Sequence, residues 1–384
     1  MPATSQLIQL LQQHSPAQAV LRARPGDRGL ADEVRFPFLA LVGQIEMKLA
    51  LVLTLVNPSV GGVLLIGPRG TGKTTAVRGL VDLLPQVQRS TCPNGCEPQS
   101  AEAEGMDGVC PDCAAKLIRG EPITASDRMR LVELPLNSRL EDVVGGINER
   151  VAIEQHKVRL EHGLLAAADQ NLLYVDEVNL LADEIADAIL DAAAQAMYTV
   201  RRGPLAATYR SRLVLVGSMN PEEGKLRPQI QDRFGLRVLV RGLTEAEARL
   251  EVYRRVMAYQ SNPRAMRVAW AAETFVAADE IAEARGRLPQ VKLTPEVEQV
   301  GMAWINRLGI DSHRAEVVLF ESARTHAAVD GRAEAGLADL RAVAAMALRQ
   351  RRSRFMEDYF VAQQDEENAI ASAVNGVQGK ADEA

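Results

Sequence analysis

The sequence predicts an α/β fold, a parallel central sheet sandwiched between helices, followed by an all-helical domain. Three observations carry that expectation. Short apolar runs bounded by turn residues occur at VLLI (63–66), LLYV (172–175) and LVLV (213–216), the pattern of strands buried on both faces of a parallel sheet. Helical periods lie between them: Val77, Leu80, Val81 and Leu84 recur before Pro85 stops the run, and Ile185, Ile189 and Ala192 recur later. Beyond about Arg241 strand signals fade, and segments rich in Ala, Glu and Arg, such as Leu337, Leu340, Val343, Ala344 and Ala347, repeat at helical spacing.

Taken in order, residues 1–35 form a polar extension (QLIQLLQQH, then RARPGDRG) without recognisable chemistry. Residues 36–243 form the nucleotide-binding α/β domain, carrying a cysteine-rich insertion at 91–114 and another at about 136–162. Residues 244–364 form the helical lid, and 365–384 have too few large apolar groups to hold a packed structure. A chain of 384 residues, 47% apolar and 24% charged, can bury a sizeable core and is expected to form two domains. No run approaches the roughly eighteen apolar residues of a membrane span, and residues 1–25 lack the plan of a secretion signal. A cytoplasmic protein without membrane insertion is the expectation. The net charge of −6, with signs well mixed, supplies no general attraction to nucleic acid.

Directly behind VLLI stands GPRGTGKTT: Gly67, Pro68, Arg69, Gly70, Thr71, Gly72, Lys73, Thr74 and Thr75. The pattern G-x-x-x-x-G-K-T between a buried strand and a helix is a phosphate-binding loop. Its glycines let backbone N–H groups turn onto the phosphates, Lys73 reaches the β/γ oxygens, and the Thr74 hydroxyl is offered to Mg²⁺. The second strand ends in an acidic pair, Asp176 for the Mg²⁺ shell and Glu177 to polarise the attacking water. The third, LVLVGSMN, ends in Asn220, whose amide can hold water near the γ-phosphate. Arg233 of DRFG reads as a cation without a nearby negative partner, free to reach a neighbour's nucleotide as a finger in trans.

Phosphate loop, VDE strand, Asn-ended strand and an arginine before a helical lid follow the order of an AAA+ ATPase. LYVDEVNLL, MNPEEGKLRPQIQDRFG and DSHRAE resemble more specifically the ATPase subunit of magnesium chelatase, subunit I, from about Phe36 to Arg352. The resemblance implies a homo-oligomeric ring, commonly a hexamer, with ATP between subunits. Lys73, Thr74, Asp176, Glu177 and Asn220 would serve in cis, and Arg233 would come from the neighbour. Arg314, in DSHRAE, matches the lid arginine that senses the γ-phosphate. The insertion near 136–162 and a hairpin near 198–209, with RRGP as its turn, would face partner subunits. The implied reaction is Mg²⁺ insertion into protoporphyrin IX in chlorophyll or bacteriochlorophyll synthesis, with a large porphyrin-binding subunit and a middle subunit as partners. A paralogue serving a related chelatase, or an AAA+ remodelling chaperone that matures metalloenzymes, is the alternative.

All four cysteines fall in one stretch, Cys92-x-x-x-Cys96 and Cys110-x-x-Cys113. Two close pairs beside turn residues match a tetrahedral thiolate site, so a structural Zn²⁺ is the first expectation, with free structural thiols, an Fe–S cluster or a redox switch as the alternatives. The five histidines, His14, His156, His162, His313 and His326, lack metal-protease spacing. Trp270 and Trp304 read as packing residues, since aromatics make up only 4% of the chain and do not alternate with basic residues.

Overall fold

The structure is a computed structural model. It describes residues 6–12, 34–92, 95–146, 161–202, 205–352, 363, 366 and 367. Most of the 136–162 insertion, the tip of the expected hairpin, His14, His156 and nearly all of the final segment lie outside the described residues.

The central sheet has five parallel strands in the order β4-β5-β8-β1-β9. They are β1 (Val63–Ile66), β4 (Leu131–Leu134), β5 (Leu172–Val175), β8 (Val214–Met219) and β9 (Leu236–Leu239). β1, β5 and β8 are buried along their whole length, as continuous apolar runs require when both faces are covered. On one face Leu64, Leu173 and Leu215 pack with Ile185 and Ile189 of the helix Asp183–Gln195. On the other, Leu65, Tyr174 and Val216 join a core that continues through the helix Ile45–Val56 to Ile281, Leu319 and Val343 of the C-terminal helices. Each fully buried leucine in that core contributes on the order of 2 kcal/mol, so the sheet and the helices beyond it share one apolar interior.

Two antiparallel ribbons project from this frame. β2 (Gln86–Ser90) pairs with β3 (Thr124–Arg128), and the cysteine-rich segment is inserted at their far end. β6 (Met197–Arg202) pairs with β7 (Leu205–Arg210), the hairpin expected before the Asn-ended strand. Tyr198 stands opposite Tyr209 in its register, and the Thr199 and Thr208 hydroxyls meet at 2.9 Å.

From Ala246 the described chain is almost wholly helical, with the principal helices Ala246–Ser261, Ala271–Arg287, Pro295–Arg307, Arg314–Val329 and Leu337–Leu348. One detail departs from an all-helical lid: β10 (Lys292–Leu293) and β11 (Glu334–Ala335) make a two-residue parallel pair. These helices are tied to the helix Ile45–Val56 and its ends by polar contacts. Asn57 donates to Glu321 and Thr325, Arg285 to the Leu55 carbonyl, and Arg255 to the Ala40 carbonyl while lying over the Trp270 ring. Within the helical part, buried Asp339 accepts from Arg332 at 2.7 Å, from the Gly336 N–H at 2.8 Å, and pairs with His326 at 2.6 Å. Burial alone would raise its carboxyl, but Arg332 and His326 prevail and hold it down at about 2.

Candidate active site

The phosphate loop runs from the end of β1 into the helix Lys73–Gly79. Gly67 donates to the Met219 carbonyl, and a Cβ there would lie 2.1 Å from the Val240 carbonyl oxygen, so no other residue fits between these strands. Gly70 and Gly72 have φ of 77° and 86°, the left-handed region that turns the loop onto the helix start. The loop residues Arg69 to Thr75 line a cleft of about 220 Å³ together with Asp176, Glu177, Ser218 and Asn220. The expected cis residues are thus brought to one place.

Within the cleft, Lys73 Nζ donates to the carbonyls of Gly67 (2.6 Å) and Pro68 (2.8 Å), and Thr71 also donates to Pro68. Burial pulls the Lys73 ammonium below its ordinary pKa, while Asp176, Glu177 and Glu223 work in the opposite direction. Thr74 Oγ1 donates to Asp176 at 3.2 Å, the spacing of two oxygens that can share one hard cation. Asp176 Oδ1 also accepts from Tyr174 at 2.9 Å and from Ser218, so with Thr74 on Oδ2 both carboxylate oxygens are engaged. The buried Tyr174 phenol is pushed above its ordinary pKa, first by that burial. It therefore stays a donor.

Glu177 sits at φ 51°, ψ 52°, a left-handed conformation uncommon for a residue with a side chain and characteristic of functional positions. Its N–H donates to Ser218, and its carboxylate accepts from Arg69 at 3.2 Å. The same guanidinium reaches Glu223 at 2.5 Å. Asn220 is more engaged than a free water-holding amide: it donates to Glu223 and accepts from the Glu222 N–H, capping its own turn. A second, more apolar cavity of about 430 Å³ opens from the loop residues Gly70 to Gly72, bounded by Phe36, Leu41, Gln44, Leu243 and Arg255.

The two remaining arginines stand elsewhere. Arg233 and Arg314 line a common cavity with Gly61, Gly62, Leu213 and Leu215, at the starts of β1 and β8. The phosphate loop is at the other ends of those strands, and a four-residue strand such as β1 spans about 13 Å. Arg314 does not face the phosphate loop of its own chain. Arg233, expected to lack a partner, instead pairs with Asp191 of the helix Asp183–Gln195. Asp232 joins these groups: its backbone carbonyl accepts from Arg314 at 3.0 Å, and its carboxylate accepts from Ser312, Arg237 and Arg351. Burial, then Arg351, lowers Arg237 to about 10.

The four cysteine sulfurs lie within 4.8 Å of one another, and none is in a disulfide. They sit apart from the cleft, with a small apolar cluster of their own.

Comparison with known proteins follows this geometry. A protein of Methanocaldococcus jannaschii named "Magnesium-chelatase subunit ChlI homolog" is 40% identical over 83% of this chain and 86% of its own length. The "Magnesium-chelatase 38 kDa subunit" of Rhodobacter capsulatus is 42% identical over 88% of this chain and 93% of its own. The chain belongs to the magnesium chelatase ATPase-subunit family. The AAA lid domain family matches residues 305–372. A solved structure from Cytophaga hutchinsonii, 18% identical over 81% of this chain and 83% of its own, has a TM-score of 0.52 and shares the fold alone. Among the described residues no helix is long and apolar enough to cross a membrane.

Sequence reasoning missed several groups in this chelatase-family cleft. Tyr174 and Ser218 are polar residues inside apolar strands, and that interruption was the available signal. Arg69 is legible as a loop residue, but its pairing gave no signal, because its two acidic partners are 108 and 154 residues away along the chain. The residues bounding the apolar cavity come from both ends of the α/β part and the first lid helix, a tertiary arrangement without a local motif.

Proposed function

We propose that this chain cleaves ATP in a cleft completed by a neighbouring copy, and that the resulting movement drives Mg²⁺ insertion into protoporphyrin IX together with separate middle and porphyrin-binding subunits. The observation that carries the reading is the division of the chemistry between two ends of one sheet. Thr74, Asp176 and Glu177 gather at the phosphate loop, while Arg233 and Arg314 share a cavity at the strand starts. A site needing both sets is completed when the arginine end of one copy meets the loop end of the next. A closed ring, six copies in the expected form, satisfies every such interface by one rotation. The subunit names of the relatives agree with an assembly of unlike chains.

In this reading Lys73 leaves the Gly67 and Pro68 carbonyls for the β/γ oxygens, and the loop N–H groups with the helix start hold the remaining phosphate charge. Thr74 and Asp176 would hold Mg²⁺, and their 3.2 Å separation, with Tyr174 and Ser218 on the Asp176 carboxylate, fits the donor set a hard cation needs. The ion would supply positive charge against the negative charge of the phosphates. Glu177 takes the proton of the attacking water, which requires Arg69 to release its carboxylate. Asn220 orients that water from the turn it caps. Phe36, Leu41 and Leu243 receive the nucleoside in the apolar cavity. The neighbour's Arg233 and Arg314 stabilise the equatorial oxygens. ATP and Mg²⁺ are the cofactors; the cysteines take no part in this chemistry.

The test mixes the chain with the two partner subunits, protoporphyrin, Mg²⁺ and ATP, and follows magnesium porphyrin by fluorescence. Lys73→Ala is expected to abolish product formation. Product at the unmodified rate with that variant overturns the reading.

A further inference from the structure

The cysteine module is poor in everything that normally folds a segment of its size. Among the described residues between β2 and β3, the buried apolar groups amount to Val109, Ile123, Cys96 and Cys113, with Cys92, Cys110, Ala101, Ala114 and Leu117 half-buried around them. Segments of fewer than about 40 residues rarely hold a fold on apolar burial alone. Yet both arms are shaped to present sulfur. Gly95, at φ 67°, returns the chain so that its N–H donates to the Cys92 carbonyl at 3.0 Å, bringing Cys92 and Cys96 face to face. Cys110 precedes the helix Pro111–Ile118, and Cys113 lies in its first turn.

The sulfur separations match a particular geometry. Cys92 Sγ lies 3.8 Å from Cys96 Sγ and 3.6 Å from Cys110 Sγ. Four thiolates at about 2.3 Å from a tetrahedral Zn²⁺ stand about 3.8 Å apart along each edge. A disulfide needs about 2.05 Å, and a multi-iron cluster, having several metal atoms between its ligands, spreads them wider than a single ion. The Cys110 N–H donates to Cys96 Sγ at 3.2 Å, a contact that steadies a thiolate ligand from outside the metal shell.

We propose that Cys92, Cys96, Cys110 and Cys113 hold one structural Zn²⁺, and that this ion clamps the base of the β6–β7 hairpin. The clamp is a set of contacts to the turn between the first two cysteines and to the residues that directly follow Cys96. Arg210, the last residue of β7, donates to the Gly95 carbonyl and the Ser100 hydroxyl, each at 2.8 Å, and pairs with Glu97 at 3.0 Å. Glu97 also pairs with Arg212 at 2.6 Å, and Arg212 is held by Asp169. Two residues beyond Arg212, β8 begins, and it ends at Met219, next to Asn220 in the cleft. Fixing the Cys92–Cys96 turn therefore fixes the acceptors that hold the hairpin against the sheet.

The experiment uses the full chain purified without added metal. Elemental analysis should find about one zinc per chain, and a mercurial reagent should titrate four thiols while releasing it to a chromogenic chelator. Co²⁺ exchanged into the site should give the visible bands of a tetrahedral tetrathiolate. In hydrogen exchange, zinc release should reduce protection of the 205–210 amides by roughly tenfold or more. Glu97→Gln should weaken the same amides while leaving the zinc bound. Zinc absent with four reactive thiols, iron with cluster absorbance, or thiols already oxidised to disulfides would each overturn the site. Unchanged hairpin protection after zinc release would overturn the clamp. Cys113→Ser should lose the bound zinc, and zinc retained at about one per chain would overturn the site; should that variant fail to fold, the mercurial release from the unsubstituted chain still decides.

Discussion

The two ends of the central sheet are chemically opposite. At the strand ends beside the phosphate loop, carboxylates are ordered by neutral hydroxyls and a lysine parked on carbonyls. At the strand starts, guanidinium groups crowd around one partly exposed carboxylate, Asp232. Arg237 and Arg351 are nearly or wholly buried there and are satisfied largely by backbone carbonyls, of Gln231, Arg349 and Gln350 for the first and Ala347 and Gly235 for the second. Positive charge is thus held in place by the protein at one end, and carboxylates, hydroxyls and a lysine gather at the other. In the proposed ring each end is half of a site, and the covalent chain keeps the halves of one copy apart.

Changes at the arginine end break the comparison most sharply. Arg233→Ala is expected to lower ATP hydrolysis by about 10³–10⁵-fold, the range for a trans-acting finger, while leaving nucleotide binding in place. Mixed with unmodified chain, it should inhibit more than in proportion to its fraction; strictly additive rates would show that the halves do not meet. At the loop end, Glu177→Gln should bind ATP and slow its cleavage by about 10²–10⁴-fold, and brisk turnover in a phosphate-release assay would remove Glu177 as the base. Asp232→Ala tests the link between Arg314 and the remaining guanidiniums. Removing this partly exposed carboxylate leaves the buried Arg237 and Arg351 without their acidic partner, which is expected to destabilise the fold by about 3 kcal/mol and to slow hydrolysis without changing ATP affinity. Calorimetry with unchanged Tm would contradict it.

The smallest effect belongs far from both ends. Asp339 is held at about 2 in the folded chain against an ordinary 3.8. A depressed carboxyl contributes stability that is complete above the ordinary value and is lost as pH falls through about 4 towards 2. Asp339→Asn should therefore flatten the acid limb of the Tm–pH curve and cost up to about 3 kcal/mol near neutrality, the low end because Arg332 retains access to water. Its hydrolysis rate should match the unmodified chain at moderate temperature, and a large rate loss would assign Asp339 to the motor itself.

What could be seen in the sequence divides along the same line. β1, β5 and β8 announce themselves because uninterrupted apolar runs have few other uses, and the loop end is written in contiguous motifs. β9 was hidden by Arg237, a charge in mid-strand whose acceptors come from residues 231, 349 and 350. The position of Arg314 was equally hidden, since it depends on how the lid seats against the DRFG turn through Ser312, Asp232 and Arg351. Motif order identified Arg233, and the family resemblance of DSHRAE identified Arg314, as functional candidates, but neither showed their shared location. The cysteine pairs were legible as pairs, whereas the grip of Arg210 on the turn between two of them needed the fold.

In the proposed reading Arg69 serves as a safety catch. Its guanidinium engages one oxygen of Glu177 and reaches Glu223, so the proposed proton acceptor is already in part occupied. Cleavage on that reading begins with withdrawal of Arg69, and an idle copy would be quiet without a separate inhibitor.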